Sequence, residues 1–177
     1  MRVVGKDARL VELGLAKPCD IAIGSDAEDP DSAIFGAPGG VTFMVLACYI
    51  NLAMGYGKGE GSWDLGDPSA PDGAKKQYHY TLCVPQFDSI LPVKYTASGG
   101  AAGKFRRINT LIAKHTEPTM GNKPPYELGF KLSTFMDSGT IDGNKKSWPA
   151  PILQRHELTP EQIAVGAAMY ESVVGAR

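Results

Sequence analysis

Two stretches of this chain alternate apolar and polar side chains with a period of two residues, a pattern that restricts each stretch to a β-strand. The first covers residues 78–84, and its apolar positions are Tyr78, Tyr80, Leu82 and Val84. The second covers residues 126–134, and its apolar positions are Tyr126, Leu128, Phe130 and Leu132. Successive side chains of a strand point to opposite faces. We therefore predict two strands, each with one face on a hydrophobic core and the other face exposed.

Two further strands are predicted from composition. Residues 41–54 form the most apolar stretch and are rich in β-branched and aromatic side chains, which favours a long, bent, buried strand. A core helix is the alternative, because periodicity alone does not separate a buried helix from a buried strand. Residues 91–97 predict a short strand. The chain also contains 21 glycines and 13 prolines, which favours short strands and many turns over a helix bundle.

A hairpin is predicted after the second alternating stretch. The pair Asp142-Gly143 is typical of a tight hairpin turn, and it leads into a last strand over about residues 146–153. Pro149 and Pro151 lack the amide hydrogen that a sheet ladder needs. We therefore expect this last strand at the edge of its sheet.

A glycine-rich stretch, residues 98–104, precedes a predicted helix. Ser98 can cap a helix that begins near Gly100, and the apolar side of this helix would hold Phe105, Ile108, Leu111 and Ile112. The stretch is not a nucleotide phosphate loop, because that pattern needs a glycine where Ser98 stands and a serine or threonine where Phe105 stands. It does offer free backbone amides at a helix start, which suit a single phosphate, beside the basic residues Lys104, Arg106 and Arg107. A turn followed by a solvated helix face is the alternative.

The C-terminal helix is defined by its ends. Thr159 stands at an N-cap position, Pro160 at the first helical position, and Gln162 completes a capping box. The helix is expected to run to about Val174, with Gly175 as its stop.

The first 74 residues carry weaker signals. Residues 1–17 fit either one strand or a short helix. Residues 18–40 hold five acidic and no basic side chains, and we expect a loop; an acidic strip that competes with nucleic acid is the alternative. Residues 55–74 are dense in turn formers and predict a long connection. Within it, Trp63 is either an anchor on the core or an exposed stacking residue.

The charge of the chain is unevenly distributed. Residues 1–74 contain five basic and eleven acidic side chains, a net charge of −6, whereas residues 75–155 contain twelve basic and five acidic ones, a net charge of +7. The remaining residues, 156–177, contribute −2. A basic middle between acidic ends can steer a polyanion towards it. Scattered solvated charge is the alternative interpretation.

Catalytic and metal-binding patterns do not stand out. The three histidines, His79, His115 and His156, show no metal-ligand spacing with the cysteines, and no serine-centred elbow or carboxylate pair is evident. We therefore expect neither an enzyme nor a cofactor.

The three cysteines are far apart, which favours a reducing compartment over a disulfide framework. With no signal peptide and no apolar run of membrane-spanning length, a cytoplasmic protein is expected.

Single-stranded nucleic acid binding needs only positive charge along a groove and rings on which bases stack. We expect one positively charged groove lined by rings, formed by the central strands. The candidate residues are Lys75, Lys76, Tyr95, Lys104, Arg106, Arg107, Lys131, Lys145, Lys146 and Trp148. Among them, Trp148 is the better stacking candidate, because it stands beside Lys145 and Lys146 and precedes a proline.

Three segments carry a resemblance to a known group of proteins. They are YHYTLCVPQFDSILPVKYTASGGAAGKFRRINTLIAK, PPYELGFKLSTF and KKSWPAPIL, which together span residues 78–153. In their layout they resemble small proteins of bacteriophage replication and recombination modules, some of which are single-stranded-DNA-binding proteins. The predicted elements give a mainly β, α+β fold with an inserted helix and a C-terminal helix, and the resemblance implies that the strands form an OB-like five-stranded barrel. The same elements divide the chain into an N-terminal segment with an acidic loop (1–40), a β-barrel-like core (41–155) and a C-terminal helix (156–177).

The function expected on these grounds is sequence-tolerant binding of single-stranded DNA in a phage or phage-like replication or recombination system. The expected partners are single-stranded DNA and replication or recombination proteins, with no membrane; self-association into a homo-oligomer stays open. If the protein is viral, its compartment is the host cytoplasm. The alternative is a virion structural, protein-interaction or anti-defence inhibitor protein that binds no nucleic acid.

Overall fold

The computed structural model describes residues 1–25, 29–36, 39–54, 61–87, 91–141 and 143–175, in which two antiparallel sheets are present. The smaller sheet has three strands in the order β1-β2-β3. Its strands are β1 (Arg2–Val3), β2 (Ile21–Ile23) and β3 (Ala33–Phe35), with the short helix α1 (Arg9–Glu12) between the first two.

The larger sheet has six strands, five of them in the order β7-β6-β4-β8-β9, while β5 pairs with the end of β4. They are β4 (Val41–Ala53), β5 (Ser62–Trp63), β6 (Lys75–Cys83), β7 (Val93–Ala97), β8 (Gly129–Ile141) and β9 (Asn144–His156). Two longer helices, α2 (Gly99–Thr116) and α3 (Pro160–Val174), and a 3₁₀ turn (Pro125–Glu127) complete the described elements.

The prediction of a mainly β, α+β fold with antiparallel strands is confirmed. The finer prediction of an OB-like five-stranded barrel is not confirmed, because neither described sheet closes on itself. In the larger sheet β7 and β9 are the two ends of the strand order. An open sheet must bury its apolar face against other elements, and here helices and the smaller sheet provide that cover.

One face of the larger sheet, which we call the inner face, packs on α2 through a cluster of aromatic rings. Phe105 of α2 is fully buried, and its ring centre lies 4.8 Å from that of Tyr95 and 5.1 Å from that of Tyr80. The Tyr80 hydroxyl lies 3.2 Å from the carbonyl oxygen of Phe105 and 3.0 Å from Oδ1 of Asn109, so two acceptors share its single proton. A buried hydroxyl left without partners would be costly, so these bonds fix α2 on the sheet.

The smaller sheet shares this core. Ile21 and Ile23 are buried among the inner-face side chains, and the hydroxyl of Thr134 on β8 donates to the carbonyl of Cys19. The prediction of a loop over residues 18–40 is therefore wrong for β2 and β3. The number of acidic residues in this segment wrongly suggested a loop, because part of the negative charge belongs to a turn. In that turn, Asp29 accepts hydrogen bonds from the backbone amide and the side-chain hydroxyl of Ser25.

The opposite face, which we call the outer face, is covered at one end by α3. Met44, Leu46 and Cys83 form a buried cluster there, against which Tyr126, Met169 and Tyr170 pack. The predicted capping box of α3 is confirmed: the Gln162 amide donates to the Thr159 hydroxyl at 3.3 Å, and the Thr159 amide donates to Oε1 of Gln162 at 3.0 Å. The helix is thereby started at a defined residue.

A β-bulge divides β4 into two halves. Val45 pairs with Leu82 and Ala47 pairs with Thr81, so Leu46 is an extra residue without an opposite partner on β6. Before the bulge the odd-numbered positions, such as Phe43, point to the inner face. After it, the odd-numbered positions point to the outer face, because an extra residue reverses the alternation.

The remaining predictions for single elements differ in outcome. Residues 41–53 form a strand, as predicted, and the core-helix alternative is wrong. The second alternating strand begins at Gly129 and not at Tyr126, which lies in the 3₁₀ turn that follows Pro124. Ser98 occupies the N-cap position of α2, but its side chain makes no capping hydrogen bond. The β8–β9 hairpin and the edge position of β9 are confirmed, while Asp142 of the predicted turn lies outside the described residues.

The cysteines differ in accessibility. Cys19 and Cys83 are buried and Cys48 is exposed, and burial raises the pKa of the Cys83 thiol to about 11. Since the thiolate is the reactive form, we expect one thiol to react with a small disulfide reagent in the folded protein, and all three after unfolding. The reaction of Cys48 should be slow near neutral pH, because the surrounding protein partly desolvates its thiol and so raises its pKa. Cys48→Ser should abolish the folded-state reaction, and two reactive thiols in that state would contradict the assignment.

Candidate nucleic-acid interface

A groove of about 400 Å³ runs between α2 and the edge strand β9. Helix α2 buries Phe105 and Ile108 against the sheet, and the adjacent side of the helix, which carries Lys104, Arg107 and Leu111, borders this groove. The residues that line it are Lys104, Arg107, Ile108, Leu111, Phe130, Ile152, Leu153, Gln154 and Arg155. The groove thus combines an apolar floor with three basic side chains.

The positive charge of this groove is not neutralised within the described part of the chain. The two ion pairs found there join Arg9 to Glu12 and Lys123 to Glu127, so neither Arg107 nor Arg155 has a described carboxylate partner. Unpaired guanidinium groups are well suited to bind phosphate oxygens in a two-pronged geometry.

Lys104 is held in place at one end of the groove. Its ammonium donates to the carbonyl of Pro151 on β9 at 2.5 Å and lies 5.7 Å from the ring centre of Phe135, within the range of a cation–π contact. These contacts leave the charge of Lys104 intact and fix its position, and they tie α2 to β9.

The rim of the groove is apolar. Leu111 from α2 is 41% exposed, and Ile152 from β9 is 37% exposed. Side chains of this kind can cover the face of a base, although they lack the π-system that gives aromatic stacking its strength. The aromatic residue of the groove, Phe130, is buried at its floor.

The structure brings together two of the ten sequence-predicted residues, Lys104 and Arg107, and it adds Arg155, which the sequence reasoning missed. Arg106 is exposed on α2 but does not line the groove. Lys131 follows the groove residue Phe130 along β8 and so points to the opposite face of the sheet. The ten predicted residues therefore do not share one groove.

The other predicted residues are distributed over the larger sheet. Lys75 and Lys76 begin β6, and Lys145 and Lys146 lie on β9 near the hairpin turn. Trp148, also on β9, is partly buried, and its ring packs over Gly139 of β8. The contact of these residues with a nucleic acid stays a prediction.

Tyr95 belongs to the core. Its side chain is 8% exposed and its ring packs at 4.8 Å from that of Phe105, while burial raises the pKa of its hydroxyl to about 12. A ring in this position has no free face for a base in the folded structure. We therefore remove Tyr95 from the proposed site.

A second polar surface lies on the outer face, beyond the part that α3 covers. Tyr49 on β4, His79 on β6 and Thr96 on β7 stand in one row across three strands. The rings of Tyr49 and His79 stack in parallel, with centres 4.4 Å apart and planes inclined by 8°. The sequence reasoning missed Tyr49 because it lies in an apolar run whose alternation the bulge reverses.

Both ring nitrogens of His79 are hydrogen-bonded: Nδ1 lies 3.0 Å from the Thr96 hydroxyl, and Nε2 lies 2.8 Å from Oδ1 of Asn51. The Asn51 amide nitrogen in turn donates to the Ser62 hydroxyl. Since Oδ1 of Asn51 can only accept, Nε2 carries the proton and Nδ1 accepts from Thr96. With these two bonds, both ring nitrogens of a neutral imidazole have a hydrogen-bond partner.

Burial lowers the pKa of His79, and this predicts a pH effect on stability. A histidine in the unfolded state has a pKa of about 6.5, which is higher than that of His79 in the folded state. The unfolded state therefore takes up the proton first as the pH falls. We therefore expect His79 to reduce the free energy of unfolding progressively below about pH 6.5 and to have no such effect above about pH 7.5. Urea unfolding at about pH 5 and at about pH 7.5 measures it. His79→Gln should lose less stability between them than the wild type, and an equal loss would contradict the expectation.

Neither metal sites nor membrane helices are found in the described part of the chain. No group of three or more His, Cys, Asp or Glu side chains among those residues is placed to hold a metal ion. None of the described helices is both long enough and apolar enough to cross a membrane. In comparisons with known proteins, no family model, no curated protein and no solved structure matches the chain.

Proposed function

We propose that this protein binds single-stranded DNA, with little sequence preference, along the groove between α2 and β9. The observation that carries the proposal is the convergence of Lys104, Arg107 and Arg155 on one groove without a described carboxylate partner. Phosphate neutralisation by Lys and Arg supplies most of the affinity in sequence-tolerant binding. The apolar rim would lie against the bases.

The net charge of +7 over residues 75–155 supports the same proposal. A field of this sign raises the rate at which a polyanion meets the protein. The role would be protection and presentation of the strand, without turnover of a substrate.

The biological setting is proposed from the sequence resemblance alone. The resemblance favours a phage or phage-like replication or recombination system, with the protein in the cytoplasm, and with replication or recombination proteins as further partners. It also implies an OB-like barrel, but the proposed groove does not need a closed barrel, because a helix and an edge strand form it.

A protein-interaction role, as in a virion component or an inhibitor of a defence complex, is the second candidate. The observation that favours it is the exposure of two apolar side chains, Leu111 and Ile152, that line the same groove. Exposed large apolar groups that lie together can mark a protein-binding surface.

Binding of a fluorescently labelled oligothymidylate across a salt series separates the two candidates. If the groove contacts three phosphates, the logarithm of the affinity should fall with the logarithm of salt concentration with a slope of about −2, or about −0.7 per contact. A duplex of the same length serves as competitor and should compete poorly. No binding at about 0.05 M salt, where the electrostatic term is strongest, would refute the proposal and leave the protein-interaction role.

A further inference from the structure

We propose that Tyr49 stacks on an unpaired nucleobase of the bound strand, where the strand continues beyond the groove onto the outer face, with His79 as its support; this inference rests on the proposed function. The Tyr49 side chain is 63% exposed. One face of its ring lies against the imidazole of His79, at a centre-to-centre distance of 4.4 Å. The exposure therefore belongs to the other face and to the edge of the ring.

The support beneath Tyr49 is fixed before any ligand arrives. His79 is bonded through both ring nitrogens, to Thr96 and to Asn51, and these partners come from the two neighbouring strands. A ring stacked on a fixed imidazole loses less rotational freedom on binding than a free surface tyrosine would lose. Preorganisation of this kind increases affinity because it reduces the entropic cost of binding.

The charge around the stack favours a ligand with phosphates. The three strands β4, β6 and β7 contain no Asp or Glu. Two lysines of these strands lie on the same outer face as Tyr49: Lys94, whose ammonium donates to the Thr81 hydroxyl at 2.8 Å, and Lys75, which is exposed at the start of β6.

An exposed ring beside cations, with no carboxylate on the same strands, fits a nucleobase with its phosphates. Base–aromatic stacking tolerates any base, because every base has a π-face. An acidic peptide would use the lysines but not the free ring face. The ligand class that uses both features is a single-stranded nucleic acid.

The test compares substitutions at position 49 in binding of the same labelled oligothymidylate. Tyr49→Leu removes the ring and should weaken binding about tenfold or more, without changing the salt slope, because no charge is lost. Tyr49→Phe and Tyr49→Trp keep a ring and should retain the wild-type affinity. In a strand that carries a fluorescent adenine analogue, quenching of the analogue should persist with Phe or Trp and disappear with Leu. Thermal unfolding of each variant checks the fold.

The outcomes separate the two proposals. If the wild-type protein fails to bind the strand, the proposed function is wrong, and the stacking role falls with it. If the wild type binds and Tyr49→Leu binds equally well, only the stacking role is overturned. A Tyr49→Leu variant that is weaker but has an altered salt slope would also overturn it, since the loss would then lie in the phosphate contacts.

Discussion

Replacing Lys104, Arg107 and Arg155 together by alanine is expected to weaken binding of single-stranded DNA by about a hundredfold at 0.1 M salt. Each phosphate contact on a single strand contributes about 0.7 to the salt slope, which corresponds to about fivefold in affinity at that concentration. The three side chains line one groove, so their losses should combine. The salt slope should become flatter by about 2, which a fluorescence anisotropy titration at four or more salt concentrations would measure.

A matched control removes the same charge from another part of the molecule. Lys6, Arg9 and Lys17 are exposed and do not line the groove, and their replacement by alanine changes the net charge equally. If this control weakens binding as much as the groove variant does, net charge and not the groove determines affinity. Thermal unfolding must accompany both variants, because Lys104 also joins α2 to β9 through the Pro151 carbonyl.

Replacing Phe105 by alanine is expected to lower the free energy of unfolding by about 3–5 kcal/mol. The ring is fully buried and stands at the centre of the inner-face cluster, within 6.4 Å of the ring centre of Phe43 and closer to those of Tyr80 and Tyr95. Its removal leaves a cavity between a helix and a sheet that hydrogen bonds hold at a fixed distance. Since small domains are stable by about 5–15 kcal/mol, the variant should be partly unfolded at moderate temperature.

Leu111 on the same helix provides the matched comparison. It is 41% exposed, so Leu111→Ala should cost about 1 kcal/mol or less. Urea unfolding monitored by circular dichroism measures both variants under one set of conditions. Equal destabilisation by the two substitutions would mean that α2 does not pack on the sheet through Phe105.

Local signals in the sequence predicted much of the fold. The alternation of residues 78–84 identified β6 and its inner face, and the capping residues Thr159 and Gln162 located the start of α3. These predictions succeeded because the deciding interactions lie within a few residues of each other. The order of strands in the sheet, and hence whether it closes, depends on contacts between distant segments, and the sequence pattern did not reveal it.

The candidate site was predicted less well than the fold, for the same reason. Lys104 and Arg107 lie one turn apart on one helix and could be grouped from the sequence. Arg155 joins them only because β9 returns along the edge of the sheet beside α2. Tyr95 was misjudged because its strand, β7, is buried at alternate positions, and Tyr95 holds one of the buried ones.

The single unmatched residue in β4 has a consequence for how this chain can vary in length. If Leu46 were deleted, Ala47 would follow Val45 directly and could keep its pairing with Thr81, so Tyr49 would stay opposite His79. If the chain kept its length and the bulge were lost, plain alternation would run through position 46 and turn Tyr49 towards Phe105 and its neighbours. This half of β4 can therefore tolerate the loss of one residue, whereas a regular strand of the present length would exchange its two faces.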